Sequence, residues 1–328
     1  MQVRCLVLAC LVALCGAGLA AQSPSLKLES TIPLPTVEGR IDHLAADLTG
    51  ERVFLSALGS DEVEVVDIRE GRRSGRIEGM QDPQGVLYVA QNHTVYIANG
   101  GDGTVRSYDG RTFEHLKTVI LGEDADNMRF DPVHKQVLAG YGSGAIAVLS
   151  LDLAHLRDLR LPVHPEAFQI TPDGRQIYVN LPANHSIGHI ELDSMAVNPD
   201  WAEPDAGGNF PMALDATDQR LLVACRQPGE LMLLDTASGK ILDHIPTAGD
   251  ADDLFFDASL HTAFVVGGEG YVDVVQVQGK KLASVAHVPT ASGARTGLFV
   301  PEWNRLLVAA PRRGTTPARL LVFAIAGS

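Results

Sequence analysis

Short runs in which apolar and polar residues alternate with a period of two follow one another along nearly the whole chain, and each run ends at Gly, Asn, Asp or Pro. That period puts successive side chains on opposite faces of a strand, and the turn residues break the pairing. His93–Gly122 shows the unit: an alternating run ending at Asn99, a Gly-Gly-Asp-Gly turn, a second run Val105–Asp109, a polar turn, and a third run Leu116–Leu121. The pattern predicts four strands per unit. The first covers His43–Asp47, Gly85–Val89, Asn127–Asp131, Ala167–Thr171, Pro211–Asp215, Asp253–Asp257 and Thr296–Val300. The second covers Arg52–Ala57, Thr94–Asn99, Gln136–Tyr141, Gln176–Leu181, Arg220–Cys225, Thr262–Gly267 and Arg305–Ala310. A third strand follows each, as at Val63–Asp67, and an outer fourth, as at Arg73–Ile77.

The first apolar residues of the second strands are Val53, Val95, Val137, Ile177, Leu221, Ala263 and Leu306, so the gaps are 42, 42, 40, 44, 42 and 43 residues. Seven near-equal all-β periods predict an all-β fold, a seven-bladed β-propeller with four antiparallel strands per blade. One small twisted sheet cannot bury both faces alone, and radial stacking buries them on each other. The last period supplies Leu320–Ala324 as its third strand and then runs out of chain. Residues 26–35, LKLESTIPLP, read like Ile241–Gly249 and Ser284–Gly293, so the N-terminal strand is expected to complete the last blade and close the ring.

Residues 1–21 join a short basic start, an apolar run Cys5–Leu14 and small residues ending at Ala20-Ala21. This reads as a cleaved secretory signal, with residues 22–328 forming one propeller domain destined for the periplasm or secretion. Lipidation at Cys15 is a minor alternative, since Leu14 stands where a small neighbour is needed. Three of the four cysteines leave with that segment, so Cys225 has no intramolecular disulfide partner and reads as a small packing residue. What remains carries 25 Lys and Arg against 40 Asp and Glu, a net charge of −15 that argues against nucleic acid and anionic lipid. A monomer is expected.

Gln176–Asp193 (QIYVNLPANHSIGHIELD), His93–Asp109 (HTVYIANGGDGTVRSYD) and Arg220–Lys240 (RLLVACRQPGELMLLDTASGK) resemble the YVTN-type β-propeller repeat. Tyr178-Val179-Asn180 stands nearest its motif, whereas Val265-Val266-Gly267 and Val308-Ala309-Ala310 lack the Tyr and Asn. The resemblance covers essentially all of residues 22–328. It implies an exported seven-bladed propeller and no single activity, because relatives include binding proteins, surface proteins and lactonase-like enzymes.

Candidate chemistry comes from positions the repeat leaves free. Five residues before the end of each first strand stand Asp42, Gln84, Asp126, Glu166, Phe210, Asp252 and Arg295. The next residues are His43, Gly85, Asn127, Ala167, Pro211, Asp253 and Thr296, and two residues earlier stand Arg40, Asp82, Asp124, His164, Gly208, Asp250 and Gly293. First strands line a propeller's axis, so these columns form one mouth of the central channel. Second strands end on the same face, which adds Asn99, Tyr141, Asn180, Arg226 and Arg312 as rim candidates.

Converging carboxylates repel and raise each other's pKa unless a cation intervenes. One expectation is a hard cation, Ca²⁺ or Mg²⁺, held by Asp42, Asp126, Glu166 and Asp252. The other is a small molecule or protein partner bound by His43, Gln84, Asn127, His164, Arg226 and Arg295 without metal. No Gly-x-Ser-x-Gly elbow is present, no His-x-x-x-His or Cys pairing at His43 or His164 supports zinc, and Gly100-Gly101-Asp102-Gly103 reads as a hairpin because no helix follows. The favoured reading is a binding protein. The alternative is a metal-dependent lactonase-like hydrolase in which the cation polarises an ester carbonyl and Asp126, Glu166 or Asp252 serves as base.

Overall fold

A computed structural model describes residues 25–192, 194, 196–202 and 207–326. The expected signal segment, residues 1–21, lies outside the described residues. Strands dominate, and among the described residues the helical elements are three short 3₁₀ turns at Leu58–Ser60, Pro182–Asn184 and Pro301–Trp303. Among the described residues no helix is long and apolar enough to cross a membrane.

Seven four-stranded antiparallel sheets follow one another. Blade 1 spans Leu44–Glu78, blade 2 Pro83–Ile120, blade 3 Met128–Arg160, blade 4 Phe168–Ala202, blade 5 Gly207–Pro246 and blade 6 Ala251–Pro289. Blade 7 consists of Thr296–Val300, Arg305–Ala310 and Ala318–Ala326, with Ser25–Leu34 antiparallel to Ala318–Ala326 as its outer strand. Leu34 pairs with Ala318 and Ser25 with Ala326, so the two ends of the described chain share one sheet.

The core is not one mass. Seven apolar clusters occur among the described residues, each made from the facing sides of two neighbouring blades. Phe54, Val65 and Ile77 of blade 1 meet Val95 and Ile97 of blade 2, and the series continues around to Leu307 and Leu320 of blade 7 against Leu55 of blade 1. Seven blades with seven junctions make a ring, and the second and third strands of each blade are buried on both faces as a result. Sequence alternation along outer strands reflects the opposite situation: Leu116 and Ile120 remain 55% and 75% exposed.

The face opposite the mouth is fastened by the acids that end several first strands. Asp47 accepts from Gly50 N and Arg52, Asp131 from Val133 N and His134, and Asp215 from Asp218 N and Arg220. These are side chain-to-backbone turns of the kind Asp favours. Cys225 is fully buried in the apolar cluster between blades 4 and 5.

Candidate functional site

Because every first strand starts at the same end of the ring, the residues just before it converge on the axis. Arg40, Asp42, His43, Gln84, Asp124, Asp126, His164, Glu166, Phe210, Arg226 and Asp252 line one cavity of about 140 Å³ at this mouth. Asp42, Asp126, Glu166 and Asp252 therefore meet there, together with His43, Gln84, His164 and Arg226. Asn127 lies beneath, 2% exposed, and donates to an Asp126 carboxylate oxygen across 3.3 Å. The close approach of neighbouring blades depends on Gly85, where a Cβ would stand 2.2 Å from the backbone oxygen of Asp126.

Arginines neutralise part of the acid. Arg40 Nη2 donates to Asp42 Oδ2 across 2.6 Å. Arg226 lies 3.4 Å above the Phe210 ring centroid while it donates to Asp252 Oδ1 and, across 3.2 Å, to Ala251 O. Cation–π stacking of this kind fixes a guanidinium plane as well as its charge. Arg295 goes elsewhere, donating to Asp250 Oδ1 across 3.0 Å outside the set that lines the cavity.

Burial and mutual repulsion dominate the remaining acids. Burial, reinforced by the charge of Asp42, pushes Asp126 up to about 7. Burial, with the charges of Asp126 and Asp252, pushes Glu166 up to about 9. Burial opposes charge on His43, yet Asp253 at 3.3 Å and Asp42 at 3.8 Å outweigh it and push the imidazole up to about 10. At neutral pH the mouth thus holds a protonated His43, a largely protonated Glu166 and an Asp126 near its midpoint.

Three buried acceptors of this group, Asp126 Oδ1, Asp252 Oδ2 and Asn127 Oδ1, have no donor among the described residues. A cation would satisfy them, but the carboxylates do not close on one point. No group of three or more His, Cys, Asp or Glu side chains among the described residues is disposed to hold a metal ion. Two of the four expected ligands, Asp42 and Asp252, already have arginine partners. The fit to Ca²⁺ or Mg²⁺ is therefore poor in this arrangement.

The rim candidates serve the frame. Asn99 Oδ1 accepts from Gln81 N across 3.1 Å, Tyr141 donates to Asp158, and Arg312 bonds Pro35 O and Glu38 beside the ring junction. Asn180 donates to the backbone oxygens of Phe210 and Pro211 and so ties blade 4 to blade 5.

Below the mouth, a second cavity of about 210 Å³ continues down the axis. His43 lines both cavities. The lower wall carries two polar residues that the sequence reading passed over, Arg129 and Gln169. Both stand two residues before the end of a first strand, in a column otherwise occupied by Ala45, Leu87, Ala213, Phe255 and Leu298. An arginine in an apolar channel column was the available signal.

No protein-family model and no curated protein matches this sequence. Solved structures are similar to it in shape. A chain of the Kuenenia stuttgartiensis hydrazine synthase superposes with a TM-score of 0.78 at 16% identity, covering 90% of this chain and 97% of that one. A chain of a mitotic checkpoint complex superposes with a TM-score of 0.76 at 12% identity, covering 99% of this chain and 98% of that one. Such identities carry the fold and nothing about activity. The chain is a seven-bladed β-propeller whose strand starts gather ionisable side chains at one mouth of its channel.

Proposed function

We propose that this is an exported binding propeller of the YVTN-repeat type, which holds a small, positively charged hydrogen-bond donor such as an organic ammonium in its acidic mouth. The observation that carries the reading is the trio of buried acceptors without donors, Asp126 Oδ1, Asp252 Oδ2 and Asn127 Oδ1. Each costs about 1–3 kcal/mol while unpaired, and a donor entering from the cavity relieves that cost. The raised Asp126 and Glu166 add a second support, because a cation that displaces their protons is bound by full carboxylates. An ammonium needs two or three acceptors at hydrogen-bond distance and tolerates neighbouring guanidinium groups better than a six- to eight-coordinate Ca²⁺ does.

Thermal denaturation of residues 22–328 with 1,4-diaminobutane, CaCl₂ and MgCl₂ in parallel tests this. A ligand that binds only the native state raises the midpoint. The diamine is expected to do so saturably and the divalent ions to have little effect. A rise with Ca²⁺ or Mg²⁺ alone returns the four carboxylates to a metal role. Lactone turnover abolished by EDTA and by Asp126→Ala then makes the chain a hydrolase.

A further inference from the structure

Arg129 sits in the middle of its first strand, inside the channel, and its situation differs from that of the mouth arginines. Arg40 and Arg226 each have a carboxylate partner, as does Arg295 outside the mouth cavity. Among the described residues, the guanidinium of Arg129 makes one hydrogen bond, Nη1 to Met128 O across 2.8 Å, and no carboxylate lies within ion-pair distance. Its other face lies over the Phe168 ring, 5.6 Å from the centroid. Enclosure by the ring pushes the guanidinium below its ordinary value, with Asp253 and Asp126 only partly compensating from a distance. A guanidinium partly withdrawn from water without a counter-ion is costly, and a bound anion relieves that cost.

We propose that the channel beneath the mouth is an anion site centred on Arg129, taking a small carboxylate such as acetate through the planar fork of the guanidinium. The residues that share its cavity suit this. His43 and Arg129 are the basic side chains there, Asp253 is the one acidic side chain, and the rest of the wall is apolar apart from Gln169. Asp253 is already engaged, its Oδ1 facing His43 Nδ1 across 3.3 Å and its Oδ2 accepting from Gly297 N across 2.8 Å. A fork meets a carboxylate with two parallel hydrogen bonds, whereas a lone water satisfies only one arm at a time. A cavity of about 210 Å³ leaves room for acetate. The site differs from the ammonium site of the mouth in position and in charge sign, and neither needs the other.

The test is the unfolding midpoint of residues 22–328 in sodium acetate against sodium fluoride at matched ionic strength. Acetate is expected to give a saturable rise with the native chain and with Asp126→Asn, and no rise beyond that of fluoride with Arg129→Gln. Arg129→Lys keeps the charge without the fork, and it is expected to weaken acetate about tenfold while circular dichroism shows an intact fold. Equal shifts in acetate and fluoride, an undiminished acetate effect in Arg129→Gln, or native affinity in Arg129→Lys would overturn the proposal. Loss of the diamine effect alone, with the acetate effect retained, contradicts the mouth reading and leaves this one standing.

Discussion

His43 Nδ1 lies 3.3 Å from a carboxylate oxygen of Asp253, although His43 immediately precedes blade 1, Asp253 belongs to blade 6 and blade 7 stands between the two. Closure of the blades into a ring brings these two sequence-distant positions to such a contact. Its consequence is electrostatic: the mouth keeps protons that exposed side chains would lose.

Stability should therefore fall as pH rises. The folded values of Asp126, Glu166 and His43, about 7, 9 and 10, all lie above their ordinary values, so the native state binds more protons than the unfolded one between those limits. Their contribution is complete below the unfolded values and is lost as pH climbs through the folded ones. Between pH 7 and 10 Asp126 completes its titration, and Glu166 and His43 carry most of the change. The thermal midpoint is expected to drop by several degrees over that interval, and less steeply in Glu166→Gln. A midpoint constant from pH 7 to 10 would contradict the electrostatics described.

Arg226→Gln removes the charge that faces Asp252 and Glu166 and the stack on Phe210. Loss of one partner from a mostly buried pair costs a few kcal/mol, here about 1–3 kcal/mol because Arg226 is 23% exposed. Carboxyl carbon NMR should also find Glu166 titrating higher than in the native chain. An unchanged Glu166 would show that Arg226 does not act on it.

Much of this was legible in the sequence. Six of the seven second strands begin and end where alternation and turn residues put them, for example Arg52–Ala57 and Thr262–Gly267, because both faces are buried and a slip of one residue exposes apolar side chains. The fifth runs two residues further, to Gln227, in a hairpin whose polar ends carry no pattern. The mouth was legible because each blade contributes one strand start per turn of the ring. Arg295 was assigned to it and instead meets Asp250, a preference set by tertiary reach that column position does not encode. Arg129 escaped for the converse reason: it lies in a strand middle, where the alternation says only inside or outside.

Ring integrity should depend on the N-terminal strand more than on any outer strand residue. Leu34 is 1% exposed at the junction of blades 7 and 1, whereas Leu116 is 55% exposed on the rim of blade 2. Leu34→Ala is expected to cost about 2–5 kcal/mol in denaturant unfolding, and Leu116→Ala within about 0.5 kcal/mol of zero. Equal costs would mean that Ser25–Leu34 is not held as a core strand.

Cation binding should strengthen with pH. A cation in the mouth must displace protons from Asp126 and Glu166, so affinity rises from pH 6 to about 9 and then levels. Glu166→Gln should flatten the upper part of that rise, between pH 7 and 9, when affinity for 1,4-diaminobutane is followed by calorimetry. Affinity that declines with pH over this range would mean that the two carboxyls do not receive the ligand.

The most direct measurement is a calorimetric titration of residues 22–328 with 1,4-diaminobutane at pH 8.5, repeated with Asp126→Asn. One diamine per chain is expected, bound at least tenfold more weakly by the variant, with a fraction of a proton, chiefly from Glu166, released on binding to the native chain. No saturable heat with the native chain, or the same affinity in Asp126→Asn, would contradict an ammonium site in the acidic mouth.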